Sequence, residues 1–443
     1  MTLSPRTRSL ATALLLVALV LCARVRYTGS DPRVTLLTAQ ALLETGRPKL
    51  DPYLPPEVIE KEITAPWSVW KSRGSMYNFY PPGTAILALP AVAAARAAGL
   101  DMVKTRDDAR LQILLVAALV AAIFLVFERT ARLVLPDNAA FWVSLIFVLG
   151  TSVISTIGTA LWAHGPVVLL GALAMWHLIA AHTEGRNPNG LVLGLLLGTA
   201  FWCRPTAAVP AALVFGLLLL RTRREALRFL VAGGCLAAAL VAVSIAELGM
   251  PLPTYYLLST WPPNATPLVG LLGVLISPGR GLLVFSPFLV VGLAGWGSRR
   301  LRHQPLFLLA SAWAVLQAVM VARNHDWWGG WCYGPRLLSD SLPAWFLLVV
   351  LALAQLEPHL KRSSRRRAVV VVALASAAAF SVGVHTVQGL FNPATWTWND
   401  RPNVYDAPNE KLFDVSNPQF FATSGRNNAA AERFYRKPPP AED

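Results

Sequence analysis

The chain reads as all-α, a polytopic membrane helix bundle of about eleven spans, and three observations carry that reading. Apolar residues make up 55% of the 443 positions and charged residues only 14%, with a mean hydropathy of +0.49. Apolar runs recur at close to the roughly 20 residues that a spanning helix needs. The arginines, finally, gather in short clusters between those runs instead of along one polar face, so a net charge of +15 reads as membrane topology and excludes a nucleic-acid surface.

The runs that qualify or nearly qualify are 9–27, 111–128, 138–157, 166–182, 190–203, 206–220, 229–248, 282–297, 305–322, 338–356 and 368–388. The first carries Arg6 and Arg8 ahead of an apolar core but no small-x-small cleavage site, which makes it a spanning helix with a cytoplasmic N-terminus and not a signal peptide. Three loops vote for the cytoplasm: Arg221, Arg223, Arg224 and Arg228; Arg299, Arg300 and Arg302; and Lys361, Arg362, Arg365, Arg366 and Arg367. Counting back from them places 28–110, 158–165, 249–281, 323–337 and the tail 389–443 outside, and residues 1–388 form the transmembrane domain. The apolar stretch 83–100 breaks the parity if it crosses. It opens with Pro81-Pro82-Gly83 and contains Pro90 and Arg96, so it is read as lying in the interface.

The long first outer loop carries juxtamembrane helices. Asp31-Pro32, an apolar face of Val34, Leu37 and Ala41, then Gly46 and Pro48 spell a capped helix with Pro at its first position and a Gly stop, resting on the membrane surface. Asp31 is then its N-cap. Pro55-Pro56-Glu57 and Ala65-Pro66-Trp67 are extended or turning segments, and Tyr77 through Gly83 forms a rigid aromatic lip. The tail, with Trp396, Trp398 and Tyr405, is expected to be a loosely ordered cover.

Polar residues in such a chain are the candidates for function, because ionisable groups at membrane depth are costly. Asp31 can accept a proton from a hydroxyl, and its neighbour Arg33 can face the same ligand. Lys71 and Arg73, beside Trp67 and Trp70, form a small basic-aromatic patch that serves an anionic ligand or lipid headgroups equally well. Arg204 interrupts two apolar runs, either snorkelling to the surface or clamping a phosphate. Arg280 lies in the Pro/Gly-broken turn Ser277-Pro278-Gly279-Arg280-Gly281, whose amides attract anions; with no GK[ST] it is not an ATP loop. The densest cluster runs from Arg323 to Arg336 and holds His325, Asp326, Trp328, two glycines and Arg336. Aromatic faces suit sugar rings, glycine admits close backbone approach, and an arginine fork matches phosphate. The scattered Cys22, Cys203, Cys235 and Cys332 indicate neither a disulfide framework nor a zinc site.

The order of these features, a first helix, Asp31 opening the helix Ala39–Gly46, then Tyr80-Pro81-Pro82-Gly83 and a ladder of apolar helices, resembles the GT-C glycosyltransferases over the first 220 residues. It is most similar to bacterial members of the protein-mannosyltransferase and aminoarabinose-transferase type, and the stretches Gly281–Pro287 and Trp328–Arg336 look like segments of uncharacterised members. The resemblance implies an inverting glycosyltransferase that takes a sugar from a polyprenyl-phosphate donor on the outer face of the membrane. Asp31 would be the base and Arg33, Lys71, Arg73, Tyr77, Tyr80, His164, Arg204, Arg280, His325, Asp326, Trp328 and Arg336 would bind substrate. It further implies membrane lipids as partners, a glycan, lipid or protein as acceptor, and the bacterial inner membrane as location; Arg- and Ala-rich usage fits a GC-rich bacterium. The family's two acidic loops would hold a divalent cation, but His164 stands where the second acidic residue is expected, which counts against a cation here and leaves His164 to bond phosphate or a hydroxyl instead. The alternatives are a transporter or flippase for a lipid-linked or anionic solute, although no paired halves with matching broken helices are seen, and a non-catalytic assembly subunit of the same fold.

Overall fold

The computed structural model describes residues 4–55, 68–360 and 364–436. Pro56, Glu57, Ala65, Pro66 and Trp67 of the first outer loop, Lys361 and Arg362 of the third basic cluster, and 437–443 lie outside the described residues. In chain order the main elements are α1 (Pro5–Leu21), α2 (Thr35–Thr45), a hairpin of β1 (Val69–Ser72) and β2 (Ser75–Asn78), α3 (Gly83–Ala97), α4 (Thr105–Arg132), α5 (Asp137–Leu149), α6 (His164–Thr183), α7 (Gly190–Cys203), α8 (Ala208–Arg221), α9 (Arg223–Leu248), α10 (Pro267–Ile276), α11 (Pro305–Ala322), α12 (Leu342–Leu360), α13 (Ser364–Val382) and α14 (Ser424–Tyr435). The chain is a multi-pass membrane protein.

Among the described residues six helical stretches are long and apolar enough to cross a bilayer: Thr105–Arg132, His164–Thr183, Arg223–Leu248, Pro305–Ala322, Arg336–Leu356 and Arg367–Phe391. A seventh crosses if Asp137–Leu149 and Ser152–Thr159, bent by 44° at Gly150, count as one. The remaining runs expected to span are shorter helices. The run 190–220 divides at Arg204, because Pro205 drives the residue before it into an extended conformation (φ −156°, ψ 138°). The run 282–297 is broken into short turns at Ser286-Pro287 and at its glycines.

Helix α1 packs antiparallel to α4. At one end Ser9 donates to Glu128 at 2.8 Å, and Arg132 reaches both; at the other, Gln112 donates to the Thr28 carbonyl. The chain therefore leaves α1 and enters α4 at the same end. Between them, α3 is tied to that end by both of its termini. Its Gly83 lies against the Trp202–Cys203 backbone, and its Arg96 pairs with Glu44 at 2.8 Å. At 15 residues it is also shorter than a span.

Two local expectations are corrected. Helix α2 does not rest on a surface: Thr35 through Ala41 are all buried, on every face, because α2 sits in the bundle against α3 and α4. Asp31 opens a short 3-10 turn, Asp31–Val34, and makes no capping hydrogen bond, because its carboxylate is drawn to a distant arginine. The Gly stop is as expected, with Gly46 in the left-handed region at φ 69°. The two-stranded hairpin was not expected; its turn, Arg73-Gly74, takes positive φ at both positions, the geometry that suits strand twist.

The described part of the tail, 389–436, is fixed to the bundle. It is pinned by Arg280, whose guanidinium donates to Asn399 and Gln419 at 2.7 and 2.6 Å, by Trp398, whose indole donates to the Asn417 carbonyl, and by the buried Lys411, which donates to the Trp398 and Pro402 carbonyls.

Candidate active site

The broken helices converge at the end of the bundle where α1 finishes and α4, α6 and α12 begin. Asp31 meets Arg336 there across 305 residues of chain: Nη1 of the arginine donates to Oδ2 at 2.9 Å, with side chains only 20% and 11% exposed. Three neighbours hold Arg336. Its guanidinium carbon lies 4.3 Å from the centre of the Trp162 ring, and Nη2 donates to the Gly329 carbonyl at 2.6 Å. Gly329 and Gly330 adopt φ 78° and 67°, conformations open to glycine, and the carbonyls they turn inward take hydrogen bonds from Arg336 and Arg280. The buried Nε of Arg336 carries no hydrogen bond.

One 3-10 turn beyond Arg336 comes the residue that the sequence did not single out. Asp340, 1% exposed, accepts from Nδ1 of His164 at 2.7 Å, Nε of Arg204 at 2.9 Å and the Thr206 hydroxyl at 2.7 Å. A carboxylate that only accepts assigns the proton to Nδ1 of His164. His164 was expected to have no acidic neighbour; the fold supplies one from 176 residues away. Arg204 gives its Nε to this contact, while its two Nη atoms make no hydrogen bond among the described residues.

An aromatic wall joins the halves of the site. Tyr80 lies near enough to Asp31 to feel its carboxylate, its ring centre lies 5.3 Å from that of Tyr255, and the Tyr255 ring centre is 6.0 Å from the Arg204 guanidinium. Phe79 and Trp261 pack against Tyr255 at 5.6 and 4.8 Å. Burial first, and then the Asp31 carboxylate, push the Tyr80 phenol well above its ordinary pKa; burial does the same for Tyr255. Both remain hydrogen-bond donors at neutral pH.

Several expected ligands stand elsewhere. Arg33 turns to the start of α4, donating to the Met102 and Val103 carbonyls and lying 3.7 Å from Asp108. Tyr77 is buried against the end of α9, its hydroxyl donating to the Glu247 carbonyl at 3.0 Å. Arg73 sits at the hairpin tip with its guanidinium against Gly249, and Lys71 is exposed on β1 of the same hairpin. Arg280 is 1% exposed, and its donors end on the carbonyls of Gly279, Trp328 and Gly330 and on Gln419 and Asn399, so it ties the tail to the Trp-Gly-Gly loop and has no hydrogen left for a phosphate. His325 and Asp326 form an exposed pair at 2.9 Å. Trp328, 3% exposed, is packed among His325, Trp327 and Tyr405 and presents no open face to a sugar.

No family model matches the chain, and no curated protein matches it. Among solved structures it is similar to the crystal structure of ArnT from Cupriavidus metallidurans in the apo state, with a TM-score of 0.47 and 14% identity over 96% of this chain and 76% of that one. Among the described residues no three His, Cys, Asp or Glu side chains gather as metal ligands. Both oxygens of Asp340 are taken by cationic or protic donors. Chemically, the site offers a carboxylate at a partly open position, two guanidiniums beside it, and phenols between them. That set can take a proton and hold an anion at neighbouring points.

Proposed function

We propose that the chain is an inverting glycosyltransferase of the GT-C type that uses a polyprenyl-phosphate sugar and works at the end of the bundle away from its basic loops. The observation that carries this reading is the meeting of Asp31 with Arg336, with Arg204 and Tyr80 in the same cluster. Arg6, Arg8, Arg129, Arg132, Arg221, Arg223, Arg224, Arg228, Arg299, Arg300 and Arg302 belong to the opposite end. Lys and Arg in short loops mark the cytoplasmic side, so the site faces outward from a bacterial inner membrane.

The lipid donor enters from the outer leaflet, and its phosphate takes the two open Nη atoms of Arg204, a fork that matches phosphate oxygens. Asp31, oriented by Arg336 and Tyr80, accepts the proton of the acceptor hydroxyl as that oxygen bonds the anomeric carbon from the face opposite the phosphate. The bond between the anomeric carbon and the phosphate oxygen breaks with its electron pair on the phosphate, and the configuration inverts. Orientation and stabilisation of the growing phosphate charge are the protein's main contributions. The mechanism assigns no metal.

Asp31→Asn tests the base role. It keeps an oxygen for Arg336 but cannot take a proton, so turnover should fall by at least about 10³-fold while the protein stays folded and still binds a polyprenyl monophosphate. Turnover within tenfold of wild type would remove Asp31 from that role.

A further inference from the structure

Arg204 has a long side chain whose free rotation would blunt any phosphate site, and its backbone alone does not aim it, since the extended conformation before Pro205 leaves the side chain torsions open. The only hydrogen bond that fixes the guanidinium among the described residues is the one from Nε to Oδ2 of Asp340. That oxygen is itself fixed, by the Thr206 hydroxyl two residues beyond the arginine, and the other carboxylate oxygen is fixed by His164 at the start of α6. Asp340 thus ties three segments, the α7 terminus, the α6 start and the turn after Arg336, around one guanidinium. The Nε contact is on the edge of the fork, so the two Nη atoms are left for a ligand. The four nearby charges balance: Asp31 and Asp340 against Arg204 and Arg336. The singly charged phosphodiester of a polyprenyl-phosphate sugar would therefore meet, in Arg204, an arginine already held in place by a carboxylate, while Arg336 stays paired with Asp31.

We propose that Asp340 is the positioning residue that presents Arg204 to the donor phosphate, with His164 and Thr206 holding Asp340 in register for that purpose. The proposal rests on the reading that Arg204 receives the phosphate, and deepens it. Asp340 touches no reacting atom. Its effect is on how well the phosphate is bound and leaves proton transfer at Asp31 alone.

The test is a binding and kinetic comparison in nanodiscs, with a polyprenyl monophosphate as the probe. Asp340→Asn places an amide where Arg204 needs an acceptor; it should weaken probe binding by at least tenfold and raise KM for the sugar donor, with kcat within about threefold of wild type. Asp31→Asn should leave probe binding unchanged. The deciding readout is a double-mutant cycle with Arg204→Lys, which keeps the charge and loses the fork: if Asp340 acts through Arg204, adding Asp340→Asn to Arg204→Lys should cost less than threefold more. Additive losses would make Asp340 a folding contact only and overturn the proposal. Should Asp340→Asn fail to fold, the same cycle is run with Thr206→Val, which keeps the carboxylate and loosens it. A wild-type protein that binds no probe would overturn the underlying phosphate reading, whereas wild-type binding matched by Asp340→Asn would overturn this inference alone.

Discussion

Asp31, Arg204, Arg336 and Tyr80 share one feature in the sequence: each is polar where its surroundings are apolar or rigid. That was enough to single them out as candidates. Asp340 carries the same signal, a carboxylate inside the apolar run 338–356, and an ionisable residue inside a span is a functional candidate by default. It was passed over because it sits two residues into that run, where an end residue that reaches water is the ordinary reading. Arg280 shows the opposite error. A Pro/Gly turn with an arginine looks like an anion site, but its amides and guanidinium are all used within the protein, and four of the five guanidinium bonds go to partners 48 to 139 residues away that local sequence does not reveal. Arg280→Met should therefore act on stability. It strips the Asn399 and Gln419 side chains and three carbonyls of a buried donor, at a cost of at least about 2 kcal/mol. The expected result is a lowered melting temperature and earlier proteolysis of the tail, with KM for the donor unchanged in the protein that remains folded.

At the scale of elements, the site is made by interruptions. Helices α7 and α8 are parted at Arg204, α5 ends at Gly150, and a π-helical turn, Gly383–Gln388, follows α13. His385 in that turn joins two of the breaks, with Nδ1 2.7 Å from the Ser155 hydroxyl and Nε2 2.9 Å from Ser286, which itself donates to the Gly150 carbonyl. The interruption at Arg204-Pro205 was visible in the sequence, whereas 138–157 and 282–297 were read as single runs; the partners of the breaks across the bundle were not legible, because apolar periodicity gives a helix without its neighbours. Close approach of α3 to α7 is what brings the Tyr80 loop beside Arg204. A side-chain carbon at Gly83 would lie 2.4 Å from the Trp202 backbone carbon, and backbone cannot step aside as a side chain can. Gly83→Ala should push the two helices apart, lowering kcat/KM by at least about tenfold through misplacement of Tyr80 and Asp31. Steady-state kinetics on the purified variant checks this, and activity equal to wild type would mean that the approach does not position the site.

Over the whole molecule, the alternation of apolar runs and arginine clusters made the helix bundle legible, and the long polar segments lie at the end where the polar cluster forms. Among the described residues six stretches, or seven with the bent pair, are long and apolar enough to cross; of the other expected runs, Pro5–Leu21 is an unbroken helix of 17 residues, and 190–220 and 282–297 break at proline and glycine into shorter pieces. The tail that composition suggested was loose is fixed by buried polar anchors, Arg280, Gln419 and Lys411, whose pairing depends on the folded loop beneath them. The most direct measurement is release of polyprenyl monophosphate by the purified, membrane-reconstituted protein, given a panel of polyprenyl-phosphate sugars and candidate acceptors. Release from at least one donor, stoichiometric with glycosylated acceptor of inverted configuration and absent in Asp31→Asn, is the predicted result. No release from any donor, with movement of a lipid-linked or anionic solute across the same membranes, would contradict it.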